Sequence, residues 1–454
     1  MRPKHLLVLL AVLLLPFVGP RIADVQAGPK VKLDKKKIQD LATRWIKARP
    51  KTHFERWDRK VRQALLEEAK AMGEPPAGAL DDIVALMWKP IKKHGPRAKK
   101  DEIQTPYGRA WWIRSGKGGK KNGLILGLHG GGVGAGDASE AAGKWKLSKT
   151  MQMYPQGIRL IHDTWNSVHG ERFLLTLIEI AKVQYDVDPD RVYSMGFSMG
   201  GSGSFFMAGR HPDLLAGAIP AHGVVPADKV KEPDPAKVGR LEHGLVHNMR
   251  NVAVYFYTGA KDVNCEPGTF MKAFQQIEEL RKDDRGGYAQ IEFTCHPGIA
   301  HSFPPGEPGK GYKWIQDKRR GAFPEVIAWE YNSAPWPPAD AEDEGKSKRR
   351  PKRWMYWLHC QVPEDFMDVR AVRSQTEKEH VIDLEITKAY PEDFTVYMND
   401  RMAEPTAEVV LRVGGKEVFR GVPKRSYATI FESFDAKLDR TLVFDRKIKV
   451  PEED

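Results

Sequence analysis

Between residues 31 and 95, apolar residues recur at three- and four-residue spacing with charges between them, as in KKKIQDLATRWIKARP and FERWDRKVRQALLEEAKAMGE. This spacing predicts amphipathic helices. From about 106 to 333 the pattern changes to short apolar runs that do not strictly alternate, separated by helix-like stretches. The runs are LILGLHG; IRLIHD, then RFLLTLIEIAKVQYD; VYSMGF, then a helix after a Gly cluster; AGAIPA; VAVYFYTG, then FMKAFQQIEELRK; and QIEFTCHPG, then FPEVIAWEY as the last helix. Such runs predict a mostly parallel sheet covered by helices on both faces. Residues 334–353 are Pro-rich, then acidic, then basic, and read as an exposed linker. Beyond them, WMYWLHC, DVRAVRS, VIDLEIT, FTVYMN, AEVVLRV and KEVFRG have period-two character and predict a β-rich module over 354–454. The expected organisation is an α/β core at 106–333, a helical segment at 28–105 before it, and the β-rich module after the linker. No internal repeat stands out.

The first residues, MRPKHLLVLLAVLLLPFVGPRIADVQAG, join a charged start, a short apolar run broken at Pro16 and small residues before Gly28. They read as a signal peptide over 1–27, cut after Ala27, which implies a secreted or periplasmic protein. The run is shorter than the ~20 residues a membrane span needs. The absence of cysteine near the cut argues against a lipid anchor, and no later stretch is apolar enough to span a bilayer, so no stable membrane span is expected in the mature chain. The formal charge is +12 over 454 residues. Lys and Arg are spread widely and no nucleic-acid motif appears, so anionic polymers or cell-envelope material are better expected partners than nucleic acid. No His, Cys and carboxylate grouping has metal-ligand spacing, and no metal or cofactor is expected. The pattern leaves the oligomeric state open.

Chemistry concentrates where strands should end. In Gly196-Phe197-Ser198-Met199-Gly200 a serine sits between small residues, after an apolar strand and before a helix. That is the pattern of a nucleophile elbow, in which a sharp turn exposes the hydroxyl beyond the sheet. A serine hydroxyl needs a base, and the base needs an orienting carboxylate. Asp262 follows the strand NVAVYFYTG, and His301 follows the strand AQIEFTCHPG in a Gly-Ile-Ala-His loop; His296, His222 and His169 are its rivals. LILGLHG ends in His129-Gly130-Gly131-Gly132, a loop suited to aim backbone N–H groups at an oxyanion. One donor is expected from Gly131 or Gly132 and the other from Met199. Gly130, Gly132 and Ala135 also satisfy a dinucleotide-binding pattern, with Asp163 as the ribose-binding acid. That reading leaves Ser198, Asp262 and His301 unexplained.

HGGG at 129–132, DPDRVYSMGFSMGGSGS from 188, RHPDLLAGAIPAHG, TGAKD and GIAHSF together resemble the α/β-hydrolase superfamily. They are most similar to its secreted esterase branch, including feruloyl esterase-like and polyhydroxybutyrate depolymerase-like enzymes, and to the catalytic domain of prolyl oligopeptidase-type peptidases. The resemblance covers residues 106–333 and implies an α/β-hydrolase fold with Ser198 as nucleophile, His301 as general base and Asp262 as orienting carboxylate. Fewer than 80 residues precede it in the mature chain, too few for the large propeller usual in such peptidases, which favours an ester substrate.

Cys265 follows Asp262 closely and Cys295 precedes His301, so the two are candidates for a disulfide tying the acid loop to the histidine loop. Trp145, Tyr154, Trp165 and Trp336 are candidates to line a cleft for aromatic or sugar groups. Trp354, Tyr356 and Trp357 offer a different reading, a non-catalytic secreted protein whose β-module holds polysaccharide, although alternate strand residues face opposite ways.

Overall fold

The computed structural model describes residues 33–131, 136–157, 165–227, 231–242, 244–331, 350–376, 379–388 and 391–451. Three helices come first: α1 (Lys35–Ala48), α2 (Arg59–Lys70) and α3 (Leu80–His94). α1 buries Ile38, Leu41, Trp45 and Ile46, the stripe its spacing predicts. α2 is capped by Asp58, whose carboxylate accepts the N–H groups of Lys60 and Val61.

The main sheet has eight strands, in the order β1-β2-β4-β3-β5-β6-β7-β8. β1 (Glu102–Thr105), β2 (Gly108–Ser115), β3 (Gly123–Leu128) and β4 (Thr150–Pro155) are joined by loops and the short helix α4 (Ala138–Ala141). Next come α5 (Val168–Gln184), β5 (Val192–Phe197), α6 (Met199–Arg210), β6 (Gly217–Ala221), β7 (Ala253–Gly259), α7 (Gly268–Asp283), β8 (Ile291–His296) and α8 (Glu307–Ile315). β1, β2 and β4 pair antiparallel, and every pairing from β4 to β8 is parallel. β3, β4, β6 and β7 are buried at every position, as strands covered on both faces must be.

β4 hides its nature in the sequence because TMQMYP mixes polar residues into a fully buried strand. Gln152 donates to the Thr150 carbonyl and accepts from Ser115, so its amide is satisfied without water. The run IRLIHD, expected as a strand, lies outside the described residues.

FPEVIAWEY, expected as a helix, forms β9 (Val326–Glu330) instead. Ile327 and Trp329 are buried while Val326 and Ala328 are only partly so, a period of two that suits a strand. β9 pairs antiparallel with β12 (Asp368–Gln375). The C-terminal region also contains β10 (Trp354–Met355), β11 (Leu358–Val362), β13 (His380–Thr387), β14 (Glu392–Met398), β15 (Val409–Val413), β16 (Lys416–Gly421), α9 (Tyr427–Lys437) and β17 (Arg446–Lys449). Its strands form a five-stranded sheet, β16-β15-β13-β12-β9, and a four-stranded sheet, β10-β11-β14-β17. The two share an apolar core that includes Trp329, Trp357, Phe394 and Phe444. Tyr356 and Trp357 are fully buried within it and do not form an exposed aromatic platform. Residues 35–454 make one compact unit. No helix among the described residues is long and apolar enough to cross a membrane.

Candidate functional site

The carboxyl ends of β3, β5, β6, β7 and β8 meet along one edge of the sheet, where an open parallel sheet collects its reactive groups. At β5 the chain reverses in a single residue: Ser198 has φ 60° and ψ −122°, and α6 begins at Met199. The main-chain N–H of Ser198 donates to Ala221 O at the end of β6. The turn is tight enough that a Cβ on Gly196 would lie 2.3 Å from Gly200 O, and one on Gly200 would lie 2.2 Å from Leu128 O. Only glycine fits at either position. The strained φ is held by this close packing of three backbones.

Asp262 follows β7 and is 2% exposed. Its Oδ1 accepts the N–H groups of Asn264 (3.0 Å) and Cys265 (2.8 Å). His301 Nδ1 lies 2.8 Å from Oδ2 and must be the donor, because an ionised carboxylate only accepts. Burial alone would raise the Asp262 pKa, but the bonds from Cys265, His301 and His222 outweigh it and hold the carboxyl below its ordinary value. With the His301 proton fixed on Nδ1, Nε2 presents a lone pair, and it lies 3.0 Å from Ser198 Oγ. The structure thus brings Ser198, His301 and Asp262 into one hydrogen-bonded chain.

Of the expected oxyanion donors, Met199 opens α6, where the first N–H groups have no partner within the helix. Gly131 is exposed at φ 107° in the loop after β3, and Gly132 lies outside the described residues, as do Ala135 and Asp163. Trp165 Nε1 donates to His129 O at 3.0 Å and fixes the start of this loop. A cavity of about 870 Å³ opens over Ser198; Gly131, Lys144, Trp145, Asn166, Cys265 and Phe303 are among its lining. Phe197 packs with tilted rings against both His301 (4.8 Å between centroids) and Phe303 (4.5 Å), which gives the imidazole an apolar wall. Of the aromatic residues expected at a cleft, Trp145 lines the cavity, Tyr154 and Trp165 are buried in the core, and Trp336 lies outside the described residues.

The candidate Cys265–Cys295 disulfide is not formed in the structure, where both thiols are free. Cys265 turns toward the reactive edge, with Sγ 3.9 Å from Ser198 Oγ. Cys295 stays in the β8 ladder opposite Thr258. Burial pushes the Cys265 thiol up to about 11, so it is neutral near pH 7.

Sequence reasoning weighed His222 only as a rival to His301. The structure shows a different arrangement: His222 Nδ1 also reaches Asp262 Oδ2 at 2.8 Å, so one carboxylate oxygen serves two imidazoles. The signal was its position directly after β6, on the same edge as Ser198. The donor atoms of His222, Asp262 and His301 lie within 4.8 Å of one another, the one grouping of metal-ligand character among the described residues. As placed, both ring N–H groups are directed at the carboxylate.

Residues 147–320 match the model of the dienelactone hydrolase family. No curated protein matches the chain. Among solved structures, esterase PE8 is 14% identical, covers 48% of this chain and all of its own, and superposes with a TM-score of 0.33. A Bacillus cereus carboxylesterase is 18% identical, covers 45% of this chain and 93% of its own, at 0.34. A putative dipeptidyl aminopeptidase IV from Bacteroides ovatus is 11% identical, covers 48% of this chain and 35% of its own, at 0.35. The domain has the α/β-hydrolase fold, with a family match to dienelactone hydrolases. The narrower resemblance to feruloyl esterases and polyhydroxybutyrate depolymerases gains no support from these matches.

Proposed function

We propose that the protein is a serine hydrolase that cleaves carboxylic esters through an acyl-enzyme, exported from the cytoplasm by residues 1–27. The observation that carries this reading is the continuous chain from Ser198 Oγ to His301 (3.0 Å) and from His301 to Asp262 (2.8 Å), at the floor of an open cavity.

In the proposed reaction, Ser198 Oγ attacks the ester carbonyl as its proton passes to His301 Nε2. Asp262 holds the imidazole in the required tautomer and stabilises the imidazolium. The tetrahedral oxyanion is met by the N–H of Met199 and by the loop at Gly131, with Gly132 as the alternative donor there. The proton on Nε2 then passes to the departing alcohol, leaving an ester on Ser198. Water enters, His301 takes its proton, and the second tetrahedral intermediate collapses to free acid and regenerated serine. Of these groups, His301 Nε2 lies 3.0 Å from Oγ, and Asp262 lies 2.8 Å from His301. A neutral Cys265 thiol beside Oγ does not compete as a nucleophile at pH 7.

The test is hydrolysis of nitrophenyl acyl esters of graded chain length, with a Pro-nitroanilide alongside, by the protein and by Ser198→Ala. Ester cleavage that falls by at least ~10³-fold in Ser198→Ala is the expected result. Cleavage of the anilide alone would move the reading to a peptidase. Ester cleavage that survives Ser198→Ala would remove the proposal.

A further inference from the structure

His222 is buried with no exposed surface, directly after β6, at φ 50°. Its ring lies 5.1 Å from that of Phe197, 6.0 Å from Tyr257 and 5.8 Å from His301, centroid to centroid. Nδ1 is 2.8 Å from Asp262 Oδ2, and Nε2 has no hydrogen-bond partner among the described residues. A position that needed only volume here would be filled by an apolar ring, with no stranded nitrogen. The main-chain N–H of His222 donates to Tyr257 O, and among the described residues the bond to Asp262 is the one hydrogen bond its side chain makes, kept alongside a positive φ and an unpaired Nε2.

We propose that His222 is a positioning residue that holds Asp262 for its work with His301, an inference that rests on the triad reading of Ser198, His301 and Asp262. The two backbone N–H groups hold Oδ1, and the His222 N–H holds Oδ2 beside that of His301, so turning Oδ2 away from His301 breaks the His222 bond as well. Two donors also divide the charge of Oδ2. That moderates how strongly Asp262 stabilises a charged His301.

The charge state of His222 agrees with this role. The groups that face it are Asp262 from the loop after β7, His301 and His296 beyond and at the end of β8, and Tyr257 on β7. Burial lowers its pKa, with His301 and His296 adding to the effect and Asp262 opposing it. His222 therefore remains a neutral Nδ1–H donor while His301 exchanges protons.

Three variants test the role. His222→Phe keeps the ring and removes the donor. His222→Asn puts its amide nitrogen near the Nδ1 position, and His222→Gln puts its amide nitrogen near that of Nε2. Activity is measured per active site, counted by titration with a fluorophosphonate. The Phe variant is expected to lose kcat on the order of 10-fold, a fraction of the ~10⁴-fold lost when a triad carboxylate no longer orients its histidine. KM stays within twofold of the parent. The acid limb of kcat/KM moves up by roughly half a pH unit, because one donor fewer shares the Oδ2 charge. Asn restores most of kcat, and Gln does not. If Phe fails to fold, the Asn and Gln pair makes the same comparison.

Parent kcat per titrated site with an unmoved acid limb in Phe, or equal kcat in Asn and Gln, overturns the positioning role. A purely structural role would lower the titrated fraction and leave both readouts unchanged. Loss of fluorophosphonate labelling in the parent, or activity that survives Ser198→Ala, overturns the triad reading itself and takes this inference with it.

Discussion

At Gly200, the second residue of α6, helix propensity and local space pull in opposite directions. Alanine in place of glycine gains about 1 kcal/mol in a helix interior. Here its Cβ would lie 2.2 Å from Leu128 O and 2.9 Å from His129 O, both main-chain atoms of a neighbouring strand and loop that cannot move aside alone. The clash wins. Gly200→Ala is expected to cost roughly 3 kcal/mol and to displace Ser198, read as a lower urea midpoint together with lost ester hydrolysis. Gly286→Ala is the contrast: nothing lies within 4 Å of its added Cβ, and its φ of 85° costs only about 1 kcal/mol. If Gly200→Ala is no worse than Gly286→Ala, the tight-elbow argument is wrong. At this scale the sequence was most legible. Ser198, Asp262 and His301 sit at fixed points in a strand-turn pattern, and such points can be read from a linear chain. What Cys265 and His222 touch depends on how two loops fold back on one another. Two cysteines flanking the site suggested a bridge, yet the Asp262 loop aims Cys265 at Ser198, and Cys295 remains in its ladder.

The N-terminal helices are joined to the rest of the unit by a buried cation. Arg49, just past α1, donates to Glu179 on α5 (2.8 and 3.0 Å) and to Asp435 on α9 (2.9 Å). Burial opposes its charge, but the two carboxylates hold its pKa above the ordinary value, and in return it helps hold Glu179 far below the usual carboxylate range. Removing one partner from such a group leaves buried charge without its counter-ion. Arg49→Met should therefore cost about 3 kcal/mol in urea unfolding, at the lower end of the usual range because His53 still reaches Glu179 and Arg62 still reaches Asp435. Arg49→Met combined with Glu179→Leu should recover part of that loss; a double variant as unstable as the sum of its two single variants would count against the coupling. Nothing in the local pattern of α1 announces this contact, since an arginine after a helix ordinarily ends in water. Elements were legible where one period ruled and illegible where polarity and burial conflicted. β4 carries a threonine and a glutamine inside a covered sheet. β9 is a short apolar run that length alone does not separate from a helix, and only its pairing with β12 decides it.

For the whole molecule, buried titrating groups set a pH window for stability. Burial, aided by nearby Lys352, pushes the His211 pKa down to about 4, and burial likewise takes His359 to about 4. His211 is satisfied as a neutral ring, with Nε2 2.8 Å from Glu171 and Nδ1 3.2 Å from the Lys352 amine. Unfolded histidines take up protons near pH 6.5, so between about 6.5 and 4 unfolding absorbs two protons at these sites, and stability falls as pH falls. Asp445 works in the opposite direction. Burial raises its pKa to about 6, so below that value the folded chain already holds a proton that the unfolded chain takes up only near 4. From pH 6 to 4 the balance is one proton absorbed on unfolding, a loss of about 3 kcal/mol over the two units. Below 4 the fall should steepen, because Glu179, Asp213 and Asp439 keep their charge in the folded state, where buried cations hold their pKa values far down, while their unfolded counterparts take up protons. Urea unfolding at pH steps from 7 to 3.5 measures the curve. His211→Asn should flatten the slope between 6 and 4, and Asp445→Asn should steepen it, since removing the opposing group leaves both histidines uncompensated. A stability that is level from pH 7 to 4, or an Asp445→Asn variant with a shallower slope than the parent, would contradict this assignment of charges.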